Sequence, residues 1–290
     1  WNYEDAEVEL TLDTEDPAVK KTDLESLQDE LGSYSTNAGW GDRVQNLRRA
    51  AELINGTVVM PGEEFSVEQT TLPYTEENGY VAGSAYENGQ IVESIGGGLC
   101  QVSTTLYNAV LYAELEVTQR ASHSMSVSYV DPSRDAMIAE GISDFKFVNN
   151  YDTPILIEGY IDSNNQLGFY IYGKDTRDAE HSVEFESETL ETTEYTTKYV
   201  EDTEAEIGSQ ETEGAGMDGS TARLWKVTYE NGEEVSREVI NNSTYQTSDV
   251  TVKVGTKSDN AEATKLVREA ITTQDEGKIT EAISKASALK

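Results

Sequence analysis

Sulfur is almost missing from this chain: Cys100 is the single cysteine among 290 residues. No disulfide can form within the chain, and the lone sulfur is either a small buried hydrophobe or a reactive thiol. Histidine is nearly as scarce. His123 and His181 are the whole set, too few and too far apart to make a zinc site with one cysteine. Basic residues are also in short supply, 21 against 55 acidic ones, for a formal charge of −34. That balance excludes a nucleic-acid surface, which needs a basic patch, and an anionic membrane surface would repel the chain. The excess negative charge favours solubility through self-repulsion. Five prolines leave no room for a proline-rich spacer. No run reaches the ~18 apolar residues of a membrane span, so direct membrane insertion is not expected. The acidic loops lack regularly spaced calcium ligands, and neither metal nor cofactor is expected. Trp1 is not a natural start and no leader is visible, which reads as a chain trimmed of an export signal or anchor.

What is present suggests about two domains at ~150 residues each. Residues 1–33 read as a lead-in or the remnant of an upstream domain, with a strand at Val8–Leu12 and a helix capped by Asp23. Residues 34–175 carry the richest patterning. RVQNLRRAAELI puts Val44, Leu47, Ala51 and Ile54 on one helical face, and Asn55-Gly56 closes that helix. TVVMPGEEFSV reads as strand, turn and strand, and VAGSAY and QIVES form a hairpin around Glu87-Asn88-Gly89. A glycine triplet then precedes a helix from about Cys100 to Leu115, with Val102, Leu106, Val110 and Ala113 as its buried stripe. SMSVSYV, AMIAEG, DFKFVNN, PILIEGYI and LGFYIYG read as successive strands. The expected class is α+β, a Cys-bearing helix packed on a mostly antiparallel sheet. Residues 182–256 read as a thin, elongated all-β module with a hairpin at Asn231-Gly232, and residues 257–290 as a short, polar helical segment, either a solvated tail or the start of a further domain.

The chemistry centres on ESIGGGLCQVSTTLYNAVLYAEL. Glycines let a backbone pass close to another chain or to a substrate, which singles out Gly97 and Gly98. Cys100 falls at a helix start, where unpaired amides favour the thiolate and could hold a tetrahedral oxyanion. His123, at the start of the next strand, is placed to act as base to the thiol and then as acid to a leaving amine. For a third member that orients the imidazole, Asp135 is preferred over Asp144 and Asn149. Gln101 and Ser103 lie near enough to the thiol to bind substrate, or are polar residues of a helix start. Tyr107 and Asn108 on the second turn either face substrate or pack. His181 is given no role.

NAGWGDRVQNLRRAAELINGTVVMPGEEFSV, GYVAGSAYENGQIVESIGGGLCQVSTTLYNAVLYAEL, RASHSMSVSYV and DFKFVNNYDTPILI together resemble the VanW family over roughly residues 33–175. VTYENGEEVSREVI and VKVGT resemble the glycine-containing G-five module, which is associated with cell-wall binding. The resemblance implies an exported, wall-associated Gram-positive protein whose partners are peptidoglycan stem peptides and glycan. It further implies an L,D-transpeptidase: Cys100 attacks the carbonyl before a terminal D-Ala, and the acyl group passes to a neighbouring amine as a 3–3 crosslink. An L,D-carboxypeptidase using the same cysteine, and a non-catalytic wall-binding scaffold, are the alternatives.

Overall fold

The computed structural model describes residues 19–87 and 90–289. The first module begins with α1 (Lys21–Glu25), β1 (Asp29–Asn37), α2 (Arg43–Ile54), β2 (Thr57–Val59), β3 (Glu64–Ser66) and α3 (Val67–Thr71). A hairpin of β4 (Ala82–Glu87) and β5 (Gln90–Ile95) leads into α4 (Leu99–Tyr112). After it come β6 (Glu116–Gln119), β7 (Lys146–Val148), β8 (Ile155–Ile161) and β9 (Gln166–Gly173). The main sheet runs β1-β9-β8-β2, antiparallel throughout, and a smaller one runs β3-β7-β6. Strand β8 alternates buried Ile155, Ile157 and Ile161 with more exposed neighbours, the pattern of a sheet with one covered face. Helices α2 and α4 cover that face. The strand read at Val8–Leu12 and the turn residues Asn88-Gly89 lie outside the described residues.

Helix α4 is more deeply placed than its apolar stripe implies. Val102, Leu106, Val110 and Ala113 are fully buried, but so are Ser103, Thr104, Thr105 and Asn108 on its other sides. Those polar side chains account for the second of two expected strands that do not form. Residues 124–130 and 136–141 are irregular apart from an isolated bridge at Ala139. Ser103 Oγ donates to Ala136 O at 2.6 Å, Ala136 N–H donates to Thr104 Oγ1 at 3.0 Å, and Asn108 Nδ2 donates to Arg134 O at 2.8 Å. Side chains of α4 thus satisfy main-chain groups that a sheet ladder would otherwise pair.

At the N-terminal end, the helix read around Asp23 shrinks to five residues. Asp23 is not its cap but accepts the N–H of the capping Lys20 at 2.7 Å. The chain then extends as β1 and pairs with β9 from Asp29↔Gly173 to Asn37↔Gln166, so a boundary at residue 33 cuts through a strand of the main sheet. Long-range pairing overrides the local helical tendency here.

The second module comprises β10 (His181–Thr193), β11 (Thr197–Glu206), β12 (Gln210–Glu213), β13 (Gly219–Glu230), β14 (Glu233–Tyr245) and β15 (Val250–Lys257). They form two three-stranded sheets, β10-β13-β14 and β11-β15-β12. The β13–β14 hairpin turns through Asn231 and Gly232, both at positive φ, as its Asn-Gly pair requires. The C-terminal helices α5 (Ala261–Thr272) and α6 (Glu276–Ser287) form the expected helical tail, which is packed rather than free in solvent. Ala263, Val267, Ile271, Ile279 and Ala286 join Ile207 and Val254 in a second small core, so the helical hairpin caps the second sheet.

A candidate cysteine–histidine–aspartate site

The turn before Cys100 is built by close backbone approach. A Cβ on Gly97 would sit 2.1 Å from the carbonyl oxygen of Gly83, so only glycine lets β4 pass against this turn. Asn46 on α2 brackets the contact: Nδ2 donates to Gly97 O at 2.9 Å and to Val81 O at 3.0 Å, and Oδ1 accepts Val81 N–H at 2.8 Å. Gly98 is the N-cap of α4 at φ 100°, in the left-handed region. Around Cys100, Leu99 N–H reaches Gly96 O at 3.3 Å and Gln101 N–H reaches Gly98 O at 2.9 Å. The Cys100 N–H itself has no partner among the described residues, as befits a first-turn amide.

Cys100 is partly exposed, and its thiol donates to Ile138 O at 3.3 Å. Its side chain is also hydrogen-bonded to His123. On the far side of the ring, His123 Nδ1 lies 2.6 Å from Asp135 Oδ2, and the His123 main-chain N–H donates to the same oxygen at 2.7 Å. With Nδ1 given to Asp135, Nε2 is the nitrogen left for the thiol. Asp135 is wholly buried. Its other oxygen, Oδ1, accepts Arg120 Nη2 at 2.9 Å and the Tyr245 hydroxyl at 2.6 Å.

The electrostatics favour an ion pair. Burial pushes the Cys100 thiol up, but the hydrogen bond and charge of His123 bring it below its ordinary value. Burial likewise disfavours a charged His123, yet hydrogen bonds to Asp135 and Cys100 carry it up to about 9. Asp135 also resists charge through burial and is nevertheless held below the usual carboxylate range by His123 and Arg120. The two displacements, down for the thiol and up for the imidazole, describe a thiolate–imidazolium pair steadied by a carboxylate.

Cys100, His123 and Asp135 are therefore brought together, whereas the expected substrate-contacting side chains are not. Gln101 is buried, with Nε2 donating to Thr36 Oγ1 and Asn37 O and Oε1 accepting from Arg43. Ser103 is buried against Ala136 O, and Tyr107 packs edge-on to Phe145 while its hydroxyl meets Asn241. The polar atoms of these three side chains are hydrogen-bonded inside the fold. Gly97 and Gly98 shape the turn. The competitors for the third position are engaged elsewhere. Asp144 accepts Ser66 Oγ at 2.5 Å and Glu68 N–H at 2.9 Å at the start of α3, and Asn149 donates to Val59 O and Thr153 O.

Arg120, Tyr129 and Tyr245 were not anticipated. Arg120 stands three residues before His123, a proximity that offered a signal. Tyr129 is hydrogen-bonded to Thr104, and burial followed by the charge of Cys100 holds it well above the ordinary tyrosine range. Tyr245 arrives from the second module, with no local signal at all. His181 proves to be a junction residue, its ring bridging Glu230 and Glu114 at 2.7 Å each. A cleft of about 440 Å³ opens between the modules, lined by Tyr107, Arg120, Phe185, Lys226, Ile240 and Asn241 among others; Cys100 is not part of its lining. Among the described residues no cluster of His, Cys, Asp and Glu is arranged to hold a metal, and no helix is long and apolar enough to cross a membrane.

Residues 42–172 match the family described as VanW like protein, and residues 184–257 match the G5 domain. The chain is 44% identical over 130 residues to the uncharacterized protein YoaR of Bacillus subtilis (strain 168), covering 44% of this chain and 43% of that one. It is 30% identical over 146 residues to the vancomycin B-type resistance protein VanW of Enterococcus faecalis (strain ATCC 700802 / V583), covering 47% and 53% respectively. The chain thus spans about half the length of the curated relatives it matches. Among solved structures, the G5 domain of IgA1 protease is 25% identical, covering 27% of this chain and 94% of that one at a TM-score of 0.21. The HP0197-G5 crystal structure is 10% identical, covering 27% and 100% at a TM-score of 0.17.

Proposed function

We propose that this chain, a VanW-like domain followed by a G5 domain, is a cell-wall-associated, extracellular L,D-transpeptidase that acts on peptidoglycan through a Cys100 acyl-enzyme. The observation that carries this reading is the line Cys100–His123–Asp135, whose charges favour a thiolate beside an imidazolium. Wall association rests on the pairing of the two domains, and the enterococcal relative is itself named for vancomycin resistance.

In the first half-reaction the thiolate attacks the carbonyl carbon preceding the terminal D-Ala of a stem tetrapeptide. The carbonyl π electrons move to oxygen, and the oxyanion is met by the Cys100 N–H at the start of α4. Collapse expels the D-Ala nitrogen, which takes the proton held on His123 Nε2 and leaves as an amine. A thioester and a neutral imidazole remain. In the second half, an amine of a neighbouring stem attacks the thioester, His123 removes its proton, and the thiolate departs, leaving a 3–3 amide crosslink. Throughout, Asp135 fixes the ring and stabilises its cationic form.

Incubation with disaccharide-tetrapeptides followed by mass analysis tests the reading. Dimers formed by the wild type and lost in Cys100→Ala support it. Tripeptides without dimers would turn the assignment to a carboxypeptidase, and identical products from both proteins would leave a wall-binding scaffold.

A further inference from the structure

The last turn of β14 reaches into the site from the other module. Asn241, Ser243 and Tyr245 are alternate residues of that strand and so lie on one face, while Asn242 and Thr244 between them are exposed. That face is matched to the Asp135 turn. Tyr245 accepts Ser133 N–H at 2.7 Å while donating to Asp135 Oδ1 at 2.6 Å. Ser243 Oγ meets Ser133 Oγ at 2.8 Å and accepts Arg120 Nη1 at 3.1 Å, and Asn241 Nδ2 donates to Ser133 O at 3.2 Å. One residue past the strand, Gln246 N–H donates to the carbonyl of Ser124, next to His123, at 2.7 Å. Each link lands on the two loops that carry the histidine and the aspartate.

We infer that the G5 module is a working part of the acid–base centre, with Tyr245 the positioning residue that fixes the Asp135 carboxylate against His123. This rests on Cys100 and His123 acting as proposed above. Oδ2 of Asp135 faces only His123, so the orientation of the carboxylate depends on what holds Oδ1. Two donors do so: Arg120, whose guanidinium is shared with Asp135 O, Ser133 O and Ser243, and Tyr245. Without the tyrosine hydroxyl, Oδ1 loses a charge-assisted hydrogen bond in a buried place, and the carboxylate gains freedom to turn away from the ring. The titratable and charged groups around it are Arg120, His123 and Tyr245, with Cys100, Tyr107 and Tyr129 next to these.

Tyr245→Phe keeps the ring and removes the hydroxyl. On tetrapeptide donors kcat should fall about tenfold with KM little changed, the size of one lost hydrogen bond to a charged group. The pH midpoint of Cys100 alkylation should move up towards that of an ordinary thiol, because a loosened Asp135 supports the imidazolium less well. Ser243→Ala, which loosens the same seam through Ser133 and Arg120, should move both readouts the same way by less. Wild-type kcat and midpoint in Tyr245→Phe, even with a lower Tm, would overturn the inference and leave the tyrosine a packing residue. Alkylation needs no peptidoglycan, so the two ideas fail separately. A shifted midpoint in a protein that makes no crosslinks would sink the transpeptidase reading and keep this one.

Discussion

Replacing His123 with alanine should reverse the sign of the displacement at Cys100. In the wild type, burial raises the thiol and His123 more than offsets it through a hydrogen bond and a positive charge. Remove the imidazole and two raising influences remain, burial and the negative charge of Asp135. The thiol should then titrate above the ordinary range instead of below it. An ordinary thiol near ~8.5 is only about 3% ionised at pH 7, so the variant should hold less thiolate than that. Each unit of upward movement removes about tenfold of the thiolate at pH 7. Part of this is returned, since a more basic thiolate is intrinsically the better nucleophile, with a Brønsted slope of about 0.4–0.5. The assay is the rate of iodoacetamide alkylation of Cys100 from pH 5 to pH 10 for both proteins. A midpoint that crosses from below to above the ordinary thiol value supports the ion pair. Superimposable profiles, or a wild-type midpoint in the ordinary range, would refute it.

Gly97→Ala should destabilise the first module by about 3 kcal/mol, because the new methyl meets the Gly83 carbonyl oxygen at 2.1 Å and its carbon at 2.3 Å, neither of which can rotate away. Urea unfolding measures this, and a wild-type midpoint would contradict the close approach. His181 predicts a pH signature at the junction of the modules. Its hydrogen bonds to Glu230 and Glu114 raise its pKa despite partial burial. The stabilisation it contributes is therefore full below the unfolded value of about 6.5 and is lost as pH rises through the folded value. The Tm difference between wild type and His181→Gln should shrink from pH 5.5 to pH 9, and a constant difference would count against the assignment.

Much of the site was legible because its parts are local. The glycine triplet and the apolar spacing behind it placed Cys100 at a helix start, and a scarce histidine one element later had few competing roles. Its place in the turn favours Asp135 over Asp144 and Asn149, and all three have buried partners. What could not be read was set by distance. Strand β1 owes its extended form to β9, more than 100 residues away, and Tyr245 meets Asp135 across a separation of 110. The false strand at 136–141 has a similar cause. Its alternating pattern is real, but Ser103 and Thr104 of α4 take up main-chain groups of Ala136 that a neighbouring strand would have paired. Gln101 and Ser103, polar residues at a helix start, suggest substrate contacts when read alone, and the packed structure turns them inwards.

The most direct test of the central claim is the intact mass of the protein after brief exposure to a disaccharide-tetrapeptide, with peptide mapping of any adduct. The account predicts added mass equal to the donor minus D-Ala, carried on Cys100 as a thioester that hydroxylamine removes, and absent from Cys100→Ala. D-Ala release that persists in Cys100→Ala, with no adduct on the wild type, would contradict it.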